Sequence, residues 1–86
     1  MQIEGAVIKE QGQTFAVVVV ERNVTDNRHE AVEASQNFSR CFPDMPIVLM
    51  SQDTRGRPTY FGRRDIANFL AGVPMRTIPW KRYTFN

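Results

Sequence analysis

Eighty-six residues, 42% of them hydrophobic and 23% charged, supply one globular core and leave no room for a second. One cysteine and one histidine exclude an internal disulfide and a cysteine-based zinc site. The net charge of +2 divides unevenly, −3 over residues 1–50 and +5 over residues 51–86, and nine of the eleven cations are arginine.

The longest apolar run, Phe15 to Val20, is far shorter than the ~18 residues that cross a bilayer. The opening "MQIEGAVIKE" has no basic segment leading into an apolar one, so no signal peptide is read there and a cytoplasmic location without membrane attachment is expected.

Along the chain, "QIEGAVIK" and "QTFAVVVV" are β-rich runs separated by "EQGQ", which predicts a hairpin turning at Gly12. The second run is apolar from Phe15 to Val20 and reads as a central strand buried on both faces; the first, with polar ends, reads as an edge. Asn27 and Glu30 have capping-box spacing, and Ala31, Ala34, Ser35, Phe38, Cys41 and Phe42 recur on one face, which predicts a helix from Arg28 to Phe42, stopped by Pro43. "PIVLM" is a second apolar strand, "SQDTRG" a turn in which Gly56 takes positive φ, and "RPTYF" an edge strand marked by Pro58. "RRDIANFLAGV" places Ile66, Phe69, Leu70 and Val73 on one helical face, ended by Gly72 and Pro74. The tail carries Ile78, Trp80, Tyr83 and Phe85, too apolar for a free end.

The predicted fold is α+β, in the order ββαββα: a four-stranded mixed sheet, two helices on one of its faces, and the aromatic tail packed on the other. The helix joining the two apolar strands is a right-handed parallel crossover. Strand order 1-2-3-4 is favoured over 2-1-3-4.

The stretch "MPIVLMSQDTRGRPTYFGRRDIANFLAGV" resembles the last third of a thioredoxin: a proline before a strand, a hairpin, a glycine and a closing amphipathic helix. The resemblance raises a cis peptide before Pro46. It departs from that family where "VTDN" stands in place of a Cys-x-x-Cys, and a second strand–helix pair is missing, so no redox chemistry is implied.

Candidates for chemistry are few. His29 near the start of a helix reads as a surface residue, and Cys41 on the apolar face as a structural thiol. No metal-ligand spacing, P-loop or dinucleotide fingerprint is present, so no metal or cofactor is expected. Parallel central strands would gather Thr25, Asp26, Asn27, Ser51 and Asp53 at one sheet edge, an arrangement suited to a small anion or an enzyme site; the same residue types are ordinary turn and cap formers. The Arg-rich stretch supplies Arg55 and Arg57 at one end of the fourth strand and Arg63 and Arg64 at the other, with Tyr60 between them and Trp80 in the tail. The sequence names no function. The leading expectation is a non-enzymatic binding or interaction module, acting on an unknown protein partner or as a homodimer. Nucleic-acid binding along the Arg edge, with Tyr60 or Trp80 as stacking surfaces, is the alternative. A small-anion or enzyme site ranks third.

Overall fold

The computed structural model describes residues 1–10 and 12–86. Its strands are β1 (Gln2–Glu10), β2 (Gln13–Val19), β3 (Ile47–Gln52), β4 (Pro58–Phe61) and β5 (Lys81–Thr84). Its helices are α1 (Arg22–Asp26), α2 (Arg28–Phe38) and α3 (Arg64–Ala71), followed by a 3-10 turn at Met75–Thr77. Gln11, within the predicted "EQGQ" turn, lies outside the described residues; Gly12 beside it has φ 78°.

The fold is α+β, built on a mixed sheet ordered β4-β3-β2-β1-β5. β2 and β3 are parallel, with Val17 opposite Val48 and Val18 opposite Leu49; all other neighbours are antiparallel. The first four strands thus take the favoured order, and 2-1-3-4 is excluded because β2, not β1, lies beside β3. The Met45–Pro46 peptide is trans.

Alternation along β2 and β3 sends Val17, Val48 and Met50 to one face and Ala16, Val18 and Leu49 to the other. Val17, Val18, Val48 and Leu49 have no exposed surface, so each face needs its own cover. The two predicted helices take one face each, not one face together. Ile66 and Leu70 of α3 pack with Val17, Val48 and Met50, and Ala31 of α2 packs with Val18 and Leu49.

The tail is divided between the two layers. Ile78 is buried and Trp80 half-buried on the α3 side, while Tyr83 and Phe85 join the α2 side. Between them the tail forms β5, pairing Ile3 with Tyr83 and Gly5 with Lys81. β1 is therefore an interior strand, contrary to its expected place at the edge: its outer backbone groups bond to β5 instead of water. The tail thus packs on both sides of the sheet, Ile78 and Trp80 on one and Tyr83 and Phe85 on the other, and also adds a strand to it, where packing on one face alone was expected. Gly5 is required where β1 lies close to β2, because a Cβ there would meet the Val17 carbonyl oxygen at 2.4 Å.

Two local readings need correction. α2 ends at Phe38, four residues short of the predicted Phe42. The Ser39 hydroxyl donates to the Gln36 carbonyl at 2.6 Å, and tight turns return Cys41 N–H and Phe42 N–H to the Phe38 carbonyl. α1 was not foreseen. Its Thr25 hydroxyl donates to the Arg22 carbonyl at 3.0 Å and lies 2.6 Å from the hydroxyl of Ser51, which is 1% exposed. With the Thr25 proton on Arg22, Ser51 is the donor to Thr25, and this two-bond chain ties α1 to the end of β3.

Phe42 joins the tail to the α2 layer. It is 5% exposed and meets Tyr83 and Phe85 edge-on, with ring centroids at 5.2 and 5.7 Å. Phe42→Ala should lower stability by about 3–5 kcal/mol in urea denaturation. Val32→Ala, at a site 38% exposed, should change it by less than ~0.5 kcal/mol. Equal effects would contradict the anchoring role of Phe42.

Candidate binding edge at strand β4

β4 has one hydrogen-bonded neighbour, β3, and ends the sheet on that side. Leu49 lies opposite Phe61, Met50 opposite Tyr60, Ser51 opposite Thr59 and Gln52 opposite Pro58. In the same register, Asp53 N–H donates to the Arg57 carbonyl at 3.0 Å. Hydrogen-bonded and non-bonded pairs alternate in an antiparallel ladder. Thr59 and Phe61 therefore bond inward to β3, while the N–H and C=O of Tyr60 and the C=O of Pro58 point away from the sheet. Pro58, with no N–H to offer, sits at an outward position where the ladder loses nothing.

The hairpin before β4 is held by Asp53. Its Oδ1 accepts from the N–H groups of Arg55 and Arg57, both at 2.9 Å, and its Oδ2 accepts from Arg57 Nε at 2.9 Å. Gly56 completes the turn at φ 80°. The Arg57 N–H, followed by the Arg57 side chain and the Arg55 N–H, holds the Asp53 carboxyl below its ordinary value of 3.8. At the far end of β4, Arg63 makes 2.6 and 3.1 Å bonds to Asp65 and a 3.2 Å bond to Gln13 Oε1. The Arg63 hydrogen bonds likewise lower the Asp65 carboxyl.

A groove of about 460 Å³ runs beside β4, walled by Arg57, Pro58 and Tyr60 on the strand and by Ala67, Asn68 and Ala71 on α3. Of the arginines and aromatics singled out in the sequence, Arg57 and Tyr60 meet here. Arg55 lies in the adjoining turn, and Arg63 and Arg64 stand at the opposite end of the strand. Trp80 is elsewhere, half-buried in the α3 layer with its Nε1 donating to the Met75 carbonyl at 3.0 Å. On the other face of β4, the Arg28 guanidinium lies 5.9 Å from the centroid of the Phe61 ring. Sequence reasoning missed Arg28, Ala67, Asn68 and Ala71. The i, i+4 alanines bordering the Ile66–Leu70 stripe were the available signal, since small side chains leave room beside a strand.

Tyr60 has a further property. Its hydroxyl is buried without a hydrogen-bond partner, and burial raises it above the ordinary value of 10.0. Only Ser35 Oγ shares that condition among the described residues.

No family model, curated protein or solved structure matches the chain.

The other sequence candidates are engaged within the fold. Asn27 Oδ1 accepts from Glu30 N–H at 3.1 Å and caps α2. Thr25 and Ser51 bond each other, Asp26 lies 3.6 Å from Arg22, and Asp53 holds the hairpin. His29 is exposed and lies 4.0 Å from Glu33. Cys41 is half-buried against the α2 layer. A second pocket, of about 100 Å³, lies between Glu10, Gln13 and Phe15 and the first turns of α3. No helix among the described residues is long and apolar enough to cross a membrane.

Two outcomes follow from these environments. Tyr60→Phe removes an unsatisfied buried hydroxyl and should raise stability by about 1 kcal/mol in chemical denaturation; a loss of that size would show that the hydroxyl is bonded in solution. Asp53 and Asp65 have lowered folded-state values, so their stabilisation is present above the ordinary carboxylate range and is lost as pH falls through the folded values. Asp53→Ala should therefore be less stable than the parent protein at pH 7, and the gap should narrow as pH falls below the ordinary carboxylate range. A gap that stays constant with pH would contradict the carboxylate's role in the turn.

Proposed function

We propose that this protein is a non-enzymatic binding module that takes an extended segment of a partner protein as an added strand on β4. The observation that carries this reading is the unpaired backbone of Tyr60 and Pro58 beside a groove open to side chains. Strand addition needs both parts: backbone groups supply affinity, and a groove accepting alternate side chains supplies selectivity. Four residues of β4 match a short extended segment. β5 is the other edge of the sheet, but its Lys81 and Arg82 are of the kind that guard an edge strand.

Two other readings have less support. A nucleic-acid surface wants exposed aromatic faces along a basic track. Here Tyr60 packs against the α3 layer, Phe61 lies under Arg28, and Trp80 is tied to Met75. A small-anion site at Thr25, Asp26, Asn27, Ser51 and Asp53 would draw on side chains already bonded within the fold. Pairing of β4 with a second copy in the antiparallel register centred on Tyr60 would set Arg57 of one chain opposite Arg63 of the other, and like charges directly opposed across strands are unfavourable.

The test is selection of binders from a random linear peptide library, followed by backbone NMR mapping. Selected peptides should shift the Tyr60 amide and the methyl groups of Ala67 and Ala71. Peptides that bind elsewhere, or a library that yields none, would refute the assignment.

A further inference from the structure

We infer that the segment taken by β4 is acidic, with carboxylates along an extended backbone. This inference rests on the reading of β4 as the binding edge and adds the chemistry of its partner. Arginines surround the strand on every open side. Arg57 walls the groove on the α3 face, Arg28 lies over Phe61 on the α2 face, Arg55 stands in the turn before the strand, and Arg63 and Arg64 follow it. The carboxylates of the hairpin and of the first turn of α3, Asp53 and Asp65, are each already bonded to an arginine of the group, while Asp26 and Glu30 flank Arg28 in sequence and Glu10 lies beside Asp65.

The side chains of Arg28, Arg55 and Arg64 have no carboxylate within salt-bridge distance among the described residues. Such a surplus is not a by-product of packing. Arg64 opens α3, where a cation opposes the helix dipole, and Arg63 is the N-cap but makes no capping hydrogen bond. Arg57 to Arg63 spans six residues, roughly 20 Å of extended chain. Carboxylates at alternate positions of a bound strand share one face, and either face offers them a cation, Arg57 beside α3 or Arg28 beside α2, with further cations at the ends of β4. The guanidinium suits this role, since its planar fork donates two parallel hydrogen bonds to a carboxylate.

The experiment uses three N-acetylated, C-amidated octapeptides of the full-length repeats Val-Glu, Val-Gln and Val-Lys, with a dT10 oligonucleotide as the fourth probe. Binding to the whole protein is followed by fluorescence anisotropy and by the Tyr60 amide resonance. The Val-Glu peptide should bind at least about tenfold more tightly than Val-Gln, and the difference should shrink at high salt. The triple variant Arg28→Gln/Arg55→Gln/Arg64→Gln touches no ion pair within the fold; it should lose about tenfold in Val-Glu affinity and leave Val-Gln binding unchanged. Equal binding of Val-Glu and Val-Gln, with the Tyr60 amide shifted by both, would overturn the acidic preference and leave the edge reading standing. Failure of every peptide to shift Tyr60 would overturn both. Binding of dT10 more tightly than Val-Glu would replace both with a nucleic-acid surface.

Discussion

Two adjacent parallel strands that are apolar at almost every position cannot be satisfied from one side. Val17 and Val18 on β2, and Val48 and Leu49 on β3, point to opposite faces of the same sheet and are all fully buried. Burying each such side chain contributes about 1.5–3 kcal/mol, so leaving either face bare would forfeit a large share of a small domain's stability. The rest of the architecture follows from this demand. α2 takes one face as the crossover between the parallel strands, and α3, after the reversal at β4, must take the other. Neither helix is long enough to complete its layer. The tail completes both, giving Ile78 and Trp80 to one and Tyr83 and Phe85 to the other.

The same demand bears on the proposed binding edge. With both faces covered, the sheet's outer backbone hydrogen-bonding groups, among the described residues, lie along its two end strands. β5 closes the β1 side and presents Lys81 and Arg82 outward from its own short span. The β4 side ends in a strand of four residues whose inward positions are used by β3 and whose outward positions are bare. α3 descends beside this strand with alanines toward it, so the edge is flanked by space instead of by a packed helix.

Much of this was legible in the sequence, for identifiable reasons. The Asn27–Glu30 spacing located a helix start because capping chemistry is local. Gly56 and Pro58 located the turn and the edge strand because each restricts the backbone in a specific way. The two apolar runs gave central parallel strands, since only strands buried on both faces tolerate such runs. That same absence of alternation concealed which face each helix would take: "VVVV" carries no period-two signal. The strand in "KRYT" was concealed by its polar residues, and its pairing with β1 depends on contacts 76 to 82 residues apart in sequence. α1 is five residues long and rests on a tertiary bond between Thr25 and Ser51, which no local pattern announces. At the candidate site the arginines and Tyr60 were visible by residue type. The groove was not, because it exists only where Ala67 and Ala71 come beside the strand.

The most direct check on this account is residue-resolved amide hydrogen exchange of the free protein across β2, β3 and β4. The amides of Val17, Val18, Val48 and Leu49 should be the slowest to exchange, and those of Thr59 and Phe61 should be protected, while the Tyr60 amide between them exchanges at the rate of an exposed loop. Protection of Tyr60 equal to that of Thr59 and Phe61 would mean that the β4 edge is already covered, and would contradict the account.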